Sequence, residues 1–132
     1  MTTAVAVGYD GSPDAVVALR WAASIAAATG AELRVVHAVG LLEHAGLADG
    51  PARDSAMALI AEAGLEESRV RWRRVDGEPA SVLAREAEQG ADLLVVGTRG
   101  FWGHAGSLGS TSLELAERAP VPVVIVPRHQ GP

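Results

Sequence analysis

Val95–Ser112 reads VVGTRGFWGHAGSLGSTS. An apolar run ends at Gly97, glycines recur at Gly100, Gly103, Gly106 and Gly109, and Ser110, Thr111 and Ser112 lead into a helix-like stretch, Leu113–Arg118. The pattern predicts a strand, a glycine-rich loop and a hydroxyl-rich helix start. Without Cβ atoms in the way, backbone N–H groups of such a loop can approach an anion closely. The first turn of the helix adds unpaired N–H groups and the favourable end of a dipole. The stretch is therefore a candidate cradle for the phosphates of a nucleotide. It contains neither GxGxxG nor Gly-Lys-Ser/Thr, so neither a dinucleotide fingerprint nor a P-loop applies.

Working outward, strand-like and helix-like segments alternate. Ala4–Tyr9 predicts strand one, closed by Asp10-Gly11-Ser12-Pro13, in which Ser12 can cap a helix and Pro13 suits its first position. That helix is expected to reach Thr29, with Val17, Trp21, Ile25 and Ala28 on its inward face and Gly30 at its stop. Glu32–Val39 predicts strand two, Gly40–Pro51 a loop, and Pro51–Ala63 helix two with Met57, Ile60 and Ala63 inward. Arg69–Val75 predicts a strand with one wet face, and Pro79–Gln89 helix three. Ala91–Gly97 is apolar on both faces and so central. Val121–Val126 predicts strand five; Pro122 cannot donate to a ladder and marks a free edge. The tail His129–Pro132 is expected to be loose.

Composition narrows the classes. The 132 residues suit one domain over 1–132, and a 48% hydrophobic content suits a folded core. A net charge of −5 argues against a broad nucleic-acid or anionic-membrane surface. There is no Cys, and all 11 basic residues are Arg, which removes thiol chemistry and a Schiff-base lysine. No basic leader precedes the first apolar run, and no run approaches the roughly 20 residues of a membrane span, so a cytoplasmic protein is expected.

Short connections between alternating strands and helices imply an α/β fold: an open five-stranded, mainly parallel sheet with helices on both faces. Ligands of such sheets sit beyond the carboxyl ends of the strands, where the winding reverses. The common order 2-1-3-4-5 separates Asp10 from Gly97, whereas 3-2-1-4-5 places strand one beside strand four. In that second order Asp10 and the glycine loop form one site, the carboxylate accepting from ribose hydroxyls or an exocyclic amine.

At these residues the chain resembles the universal stress proteins. The resemblance rests on VGYDGSPDAVVALRWA, on GEPASVLAREAEQGADLLVVGTRG, and on GSTS followed by APVPVVIVP. Nucleotide-binding members carry Gly-x2-Gly-x9-Gly-Ser/Thr. Gly97, Gly100, Gly109 and Ser110 match it, with eight residues between Gly100 and Gly109 where the pattern has nine. The resemblance implies the 3-2-1-4-5, adenine nucleotide α-hydrolase-like sheet and ATP as ligand, with Mg²⁺ accompanying its phosphates. It also implies a homodimer through strand five, Val121–Val126. It assigns Asp10 to the nucleoside, the Val39 backbone to adenine, and Gly97, Thr98, Gly100, Gly109, Ser110 and Thr111 to the phosphate and ribose cradle. Tyr9, Arg99 and Ser112 complete the candidate set.

Other residues keep two readings. Arg99 can pair with phosphate or lie in solvent. His104 reads as a solvent-facing loop histidine before a proton carrier, and Trp102 as a lid or as surface packing. Trp21, Trp72 and His37 read as packing or sheet-adjacent residues. The run Arg69, Arg71, Arg73 and Arg74 reads as protection of the opposite edge. Of Arg99, His104 and Glu114, none has an obvious catalytic partner, so a dedicated turnover is not expected and slow hydrolysis stays open. A nucleotide-free dimeric interaction module of the same fold is the alternative.

Overall fold

A computed structural model describes residues 3–39, 50–98 and 109–128. The strands are β1 (Ala4–Gly8), β2 (Glu32–Val39), β3 (Val70–Asp76), β4 (Leu93–Gly97) and β5 (Val123–Val126), and the helices are α1 (Pro13–Thr29), α2 (Gly50–Glu62), α3 (Pro79–Glu88) and α4 (Ser110–Arg118). A 3₁₀ turn, Glu67–Arg69, precedes β3. The sheet order is β3-β2-β1-β4-β5, and every pairing is parallel.

Three strand starts differ from expectation, and other element ends shift by one residue. Strand four starts at Leu93, because Asp92 turns its carboxylate to the start of β1. Its Oδ2 accepts from the Thr3 N–H and hydroxyl, each at 2.7 Å, and from the Ala4 N–H at 3.0 Å. Strand five starts at Val123, after Pro122, whose carbonyl accepts from the Leu94 N–H at 3.1 Å. Strand three starts at Val70, since Arg69 ends the 3₁₀ turn.

Each face of the sheet carries its own core. Val5, Val7, Leu33, Val35 and Val95 pack with α1 and α2 on one side. Ala6, Val36, Leu94 and Val96 pack with Val82 and Leu83 of α3 and Leu115 of α4 on the other. The inward face of α1 is not the expected stripe. Ala15, Ala18, Leu19, Ala22, Ala23 and Ala26 are buried, Val17, Trp21 and Ile25 are only half-buried, and Ala28 is exposed. A helix lying close on a sheet needs small side chains at the line of contact, so the bulky ones fill the flanks. On α2, Ala56 and Ile60 are buried and Met57 is half-buried; Ala63, expected on its inward face, lies just past the helix end and is half-buried.

The arginines of the β3 edge have specific partners. Arg69 Nη2 donates to the carbonyls of Ala26 (2.5 Å) and Ala31 (2.8 Å), closing the C-terminal end of α1. Arg73 Nε lies 2.9 Å from Oε1 of Glu86, a carboxylate buried under α3. Arg71 and Arg34 both bind Glu32. Trp72 is half-buried, edge-on to Tyr9 and beside His37.

Candidate functional site

The register decides the site. Val7 of β1 stands opposite Val95 of β4, so the two strands end side by side. The chain then leaves β1 through Asp10–Ser12 into α1, and leaves β4 at Gly97. The two meet closely: a Cβ on Gly97 would lie 2.6 Å from the Asp14 carbonyl oxygen and 2.9 Å from the Asp14 Cβ. Only glycine permits that approach. The segments that carry Asp10 and Gly97, distant in sequence, therefore form one edge of the molecule, as the 3-2-1-4-5 order predicts.

Asp10 is exposed, and its Oδ1 accepts from the Ser12 N–H at 2.9 Å. This Asx turn orients the carboxylate at the switch point. Gly11 takes the left-handed conformation at φ 83°, and Ser12 Oγ caps α1 by accepting from the Ala15 N–H at 3.2 Å.

The glycine loop is stitched at its base. The Gly109 N–H donates to the Thr98 carbonyl at 2.6 Å, and the buried Ser112 hydroxyl donates to the carbonyls of Gly97 (2.8 Å) and Thr98 (3.3 Å). Gly109 is the N-cap of α4 and is extended, with no side-chain cap. The first helical bond is Leu113 N–H to Gly109 carbonyl, so the N–H groups of Ser110, Thr111 and Ser112 have no acceptor within the helix. Ser110 is exposed and Thr111 half-buried, so hydroxyls flank these N–H groups. Such a helix start fits a phosphate group. No group of three metal-ligating side chains occurs among the described residues.

The remaining expected residues fall into two groups. Tyr9 is buried, its ring edge-on to Trp72 with centroids 6.4 Å apart and its hydroxyl 3.3 Å from Ser55 Oγ, so its side chain serves the α1–α2 core. Val39 is buried at the end of β2, and its carbonyl accepts from the Gly77 N–H at 3.0 Å. Arg99, Gly100, Trp102, Gly103, His104 and Gly106 lie outside the described residues, as do most of the Gly40–Pro51 loop and the His129–Pro132 tail.

Sequence reading missed Asp14. Its carboxylate is buried beneath the loop base, where Oδ2 accepts from the Thr98 hydroxyl at 2.8 Å and Oδ1 lies 3.6 Å from Arg128 Nε. An acid in the first turn of a helix is ordinary. Nothing local to Asp14 announces partners from just beyond β4 and from beyond β5.

A parallel α/β sheet with a loop and an open helix start at its switch point defines the class. The sequence profile of the universal stress protein family matches residues 1–127. A universal stress protein of Mycolicibacterium smegmatis is 36% identical over 132 residues, covering 92% of this chain and 45% of the relative; the chain thus spans less than half of that protein's length. Among solved structures, a universal stress protein in complex with cAMP is 34% identical, covers 95% of this chain and 96% of its own, and superposes with a TM-score of 0.78. The universal stress protein from Archaeoglobus fulgidus in complex with dAMP shares the fold at 23% identity, with a TM-score of 0.72 and coverage of 94% and 97%. The chain belongs to the universal stress protein family. Among the described residues no helix is long and apolar enough to cross a membrane.

Proposed function

We propose that this chain binds an adenine nucleotide and works as a regulatory, stress-response protein without a dedicated turnover. The observation that carries the reading is the open start of α4, held by the Gly109–Thr98 bond beside the end of β1. A phosphate on the N–H groups and hydroxyls of Ser110 and Thr111 leaves the nucleoside toward Asp10, whose carboxylate accepts from ribose or the amine. In this reading the base is met by the backbone of Val39, the assignment the family resemblance implies. Gly97 and Thr98, with Arg99 and Gly100 from the sequence pattern, complete the cradle. Ser112 holds the cradle through its hydroxyl and offers the ligand only its N–H.

ATP with Mg²⁺ is the ligand that the loop pattern implies, the metal being carried by the phosphates. The relative that binds cAMP supports an adenine nucleotide more broadly. A cytoplasmic location belongs to the same proposal, because the nucleotide pool is there. So does a homodimer through β5, an edge strand whose Val123, Val124 and Ile125 are half-buried.

Calorimetric titration with Mg·ATP, AMP and cAMP, together with chromatography of small molecules released by heat denaturation, tests the reading. Saturable heat or a co-purifying nucleotide is expected. A blank in both assays overturns it in favour of the nucleotide-free module, which the eight-residue spacing between Gly100 and Gly109 favours.

A further inference from the structure

Thr98 stands where the two halves of the proposed site meet. It follows β4 directly, and its side chain and its carbonyl have different partners. The hydroxyl donates to Asp14 Oδ2 at 2.8 Å, in the first turn of α1. The carbonyl accepts from the Gly109 N–H at 2.6 Å and from the Ser112 hydroxyl at 3.3 Å, both at the start of α4. One residue thus joins the helix behind Asp10 to the helix whose open N–H groups face a phosphate. We propose that Thr98 is a positioning residue: its hydroxyl fixes the span between the nucleoside half of the site and the phosphate half, the side chain acting through Asp14 and not on the ligand.

Each half has its own internal bonds. Asp10 is turned by the Ser12 N–H, and Ser12 caps α1 at Ala15. The start of α4 is tied to the end of β4 through Gly109 and Ser112. The close approach of Gly97 to the Asp14 backbone is a steric contact. It limits how near the helix can come and gives no direction. The Thr98 hydroxyl supplies the direction, and its acceptor belongs to a buried residue, where a hydrogen bond is stronger than in water. A ligand that bridges both halves gains from a fixed span, and a ligand confined to one half does not.

The proposal rests on the nucleotide reading, and its test separates the two. Thr98→Val keeps the branched shape and the carbonyl but removes the hydroxyl; Thr98→Ser keeps the hydroxyl. Titrations with adenosine and with AMP are compared across wild type and both variants. In Thr98→Val, AMP is expected to lose about tenfold in affinity while adenosine stays within about twofold, and Thr98→Ser is expected to restore AMP binding. Thr98→Ala carries the same comparison if the valine variant does not fold. Amide hydrogen exchange without ligand gives a second readout. In Thr98→Val the Gly109 amide should exchange faster, while the Val95 amide in mid-β4 keeps its protection. Weaker AMP binding with unchanged Gly109 exchange means that the hydroxyl touches the ligand directly, and overturns the positioning role. An equal loss for both ligands, or no loss, overturns it as well and leaves nucleotide binding standing. If wild type binds none of adenosine, AMP and Mg·ATP, the nucleotide reading falls and this proposal with it.

Discussion

Gly97 shows what one missing methyl group does here. The Asp14 backbone occupies the space where a Cβ would stand, 2.6 Å from its carbonyl oxygen. Gly97→Ala must push α1 away from β4, and overpacking of this kind costs about 1–3 kcal/mol. A thermal melt is expected to show a drop of several degrees, and an unchanged midpoint would contradict the close approach. Asp10 is the complementary case, since its side chain organises a turn and also faces the proposed ligand. Asp10→Ala is expected to weaken nucleotide binding by about 1–3 kcal/mol, the scale of a lost charged hydrogen bond. Asp10→Asn, which preserves the turn acceptor, separates the two roles: it should retain the fold while still losing affinity. The glycine at 97 was legible as the end of a strand, but the reason it must be glycine lies in a helix 83 residues earlier, at Asp14.

At the scale of the element, α1 is held at both ends by different devices. Ser12 caps its start, and Arg69 reaches from the 3₁₀ turn to the carbonyls of Ala26 and Ala31 at its finish. Unpaired carbonyls at a helix C-terminus favour a cation. Arg69→Ala is expected to destabilise the protein by about 1 kcal/mol, read as a lower urea midpoint. No shift in the midpoint would reduce Arg69 to a surface charge. The same helix explains why its face was misread. The spacing of Val17, Trp21 and Ile25 satisfies a helical stripe, but so does the alanine row beside it. Hydropathy favoured the large residues, and proximity to the sheet selected the small ones.

Across the whole molecule, two features sit at different borders of the sheet. At the amino end, Asp92 joins β1 to the approach of β4. Hydrogen bonds from the Thr3 hydroxyl and N–H, and from the Ala4 N–H, hold its carboxyl below the ordinary value of 3.8. The folded value is depressed, so the stabilisation is present above the unfolded value and is lost as pH falls through the folded one. The stability gap between wild type and Asp92→Asn should therefore stay constant near neutrality and close below pH 3.8; a gap independent of pH would refute this. At the lateral edge, Pro122 turns its carbonyl to Leu94, and backbone direction alternates along a strand. Pro122 and Val124 hence face β4, while Val123 and Ile125 present their backbone groups outward. Pro122 does not blunt the outer edge. Ile125→Pro removes an outward donor, and light scattering is expected to show a shift from dimer to monomer with the circular dichroism retained. A wild-type protein that is already monomeric would remove the basis for the β5 interface.

Periodicity, caps and apolar runs determined the five strands and four helices in outline and the sheet class, but not the 3₁₀ turn Glu67–Arg69. These are local properties, written in side-chain spacing and in residues such as Ser12, Pro13 and Gly30. The order 3-2-1-4-5 was reached from the demand that Asp10 and the glycine loop share a site, and the register of Val7 with Val95 bears it out. Only the tertiary structure decided that Asp14, Thr98 and Arg128 meet, that Ser112 braces carbonyls at the loop base, and that Tyr9 turns into the core. Those facts depend on where three distant segments arrive in space. A charge in a helix's first turn looks the same in sequence whether it faces water or a buried hydroxyl.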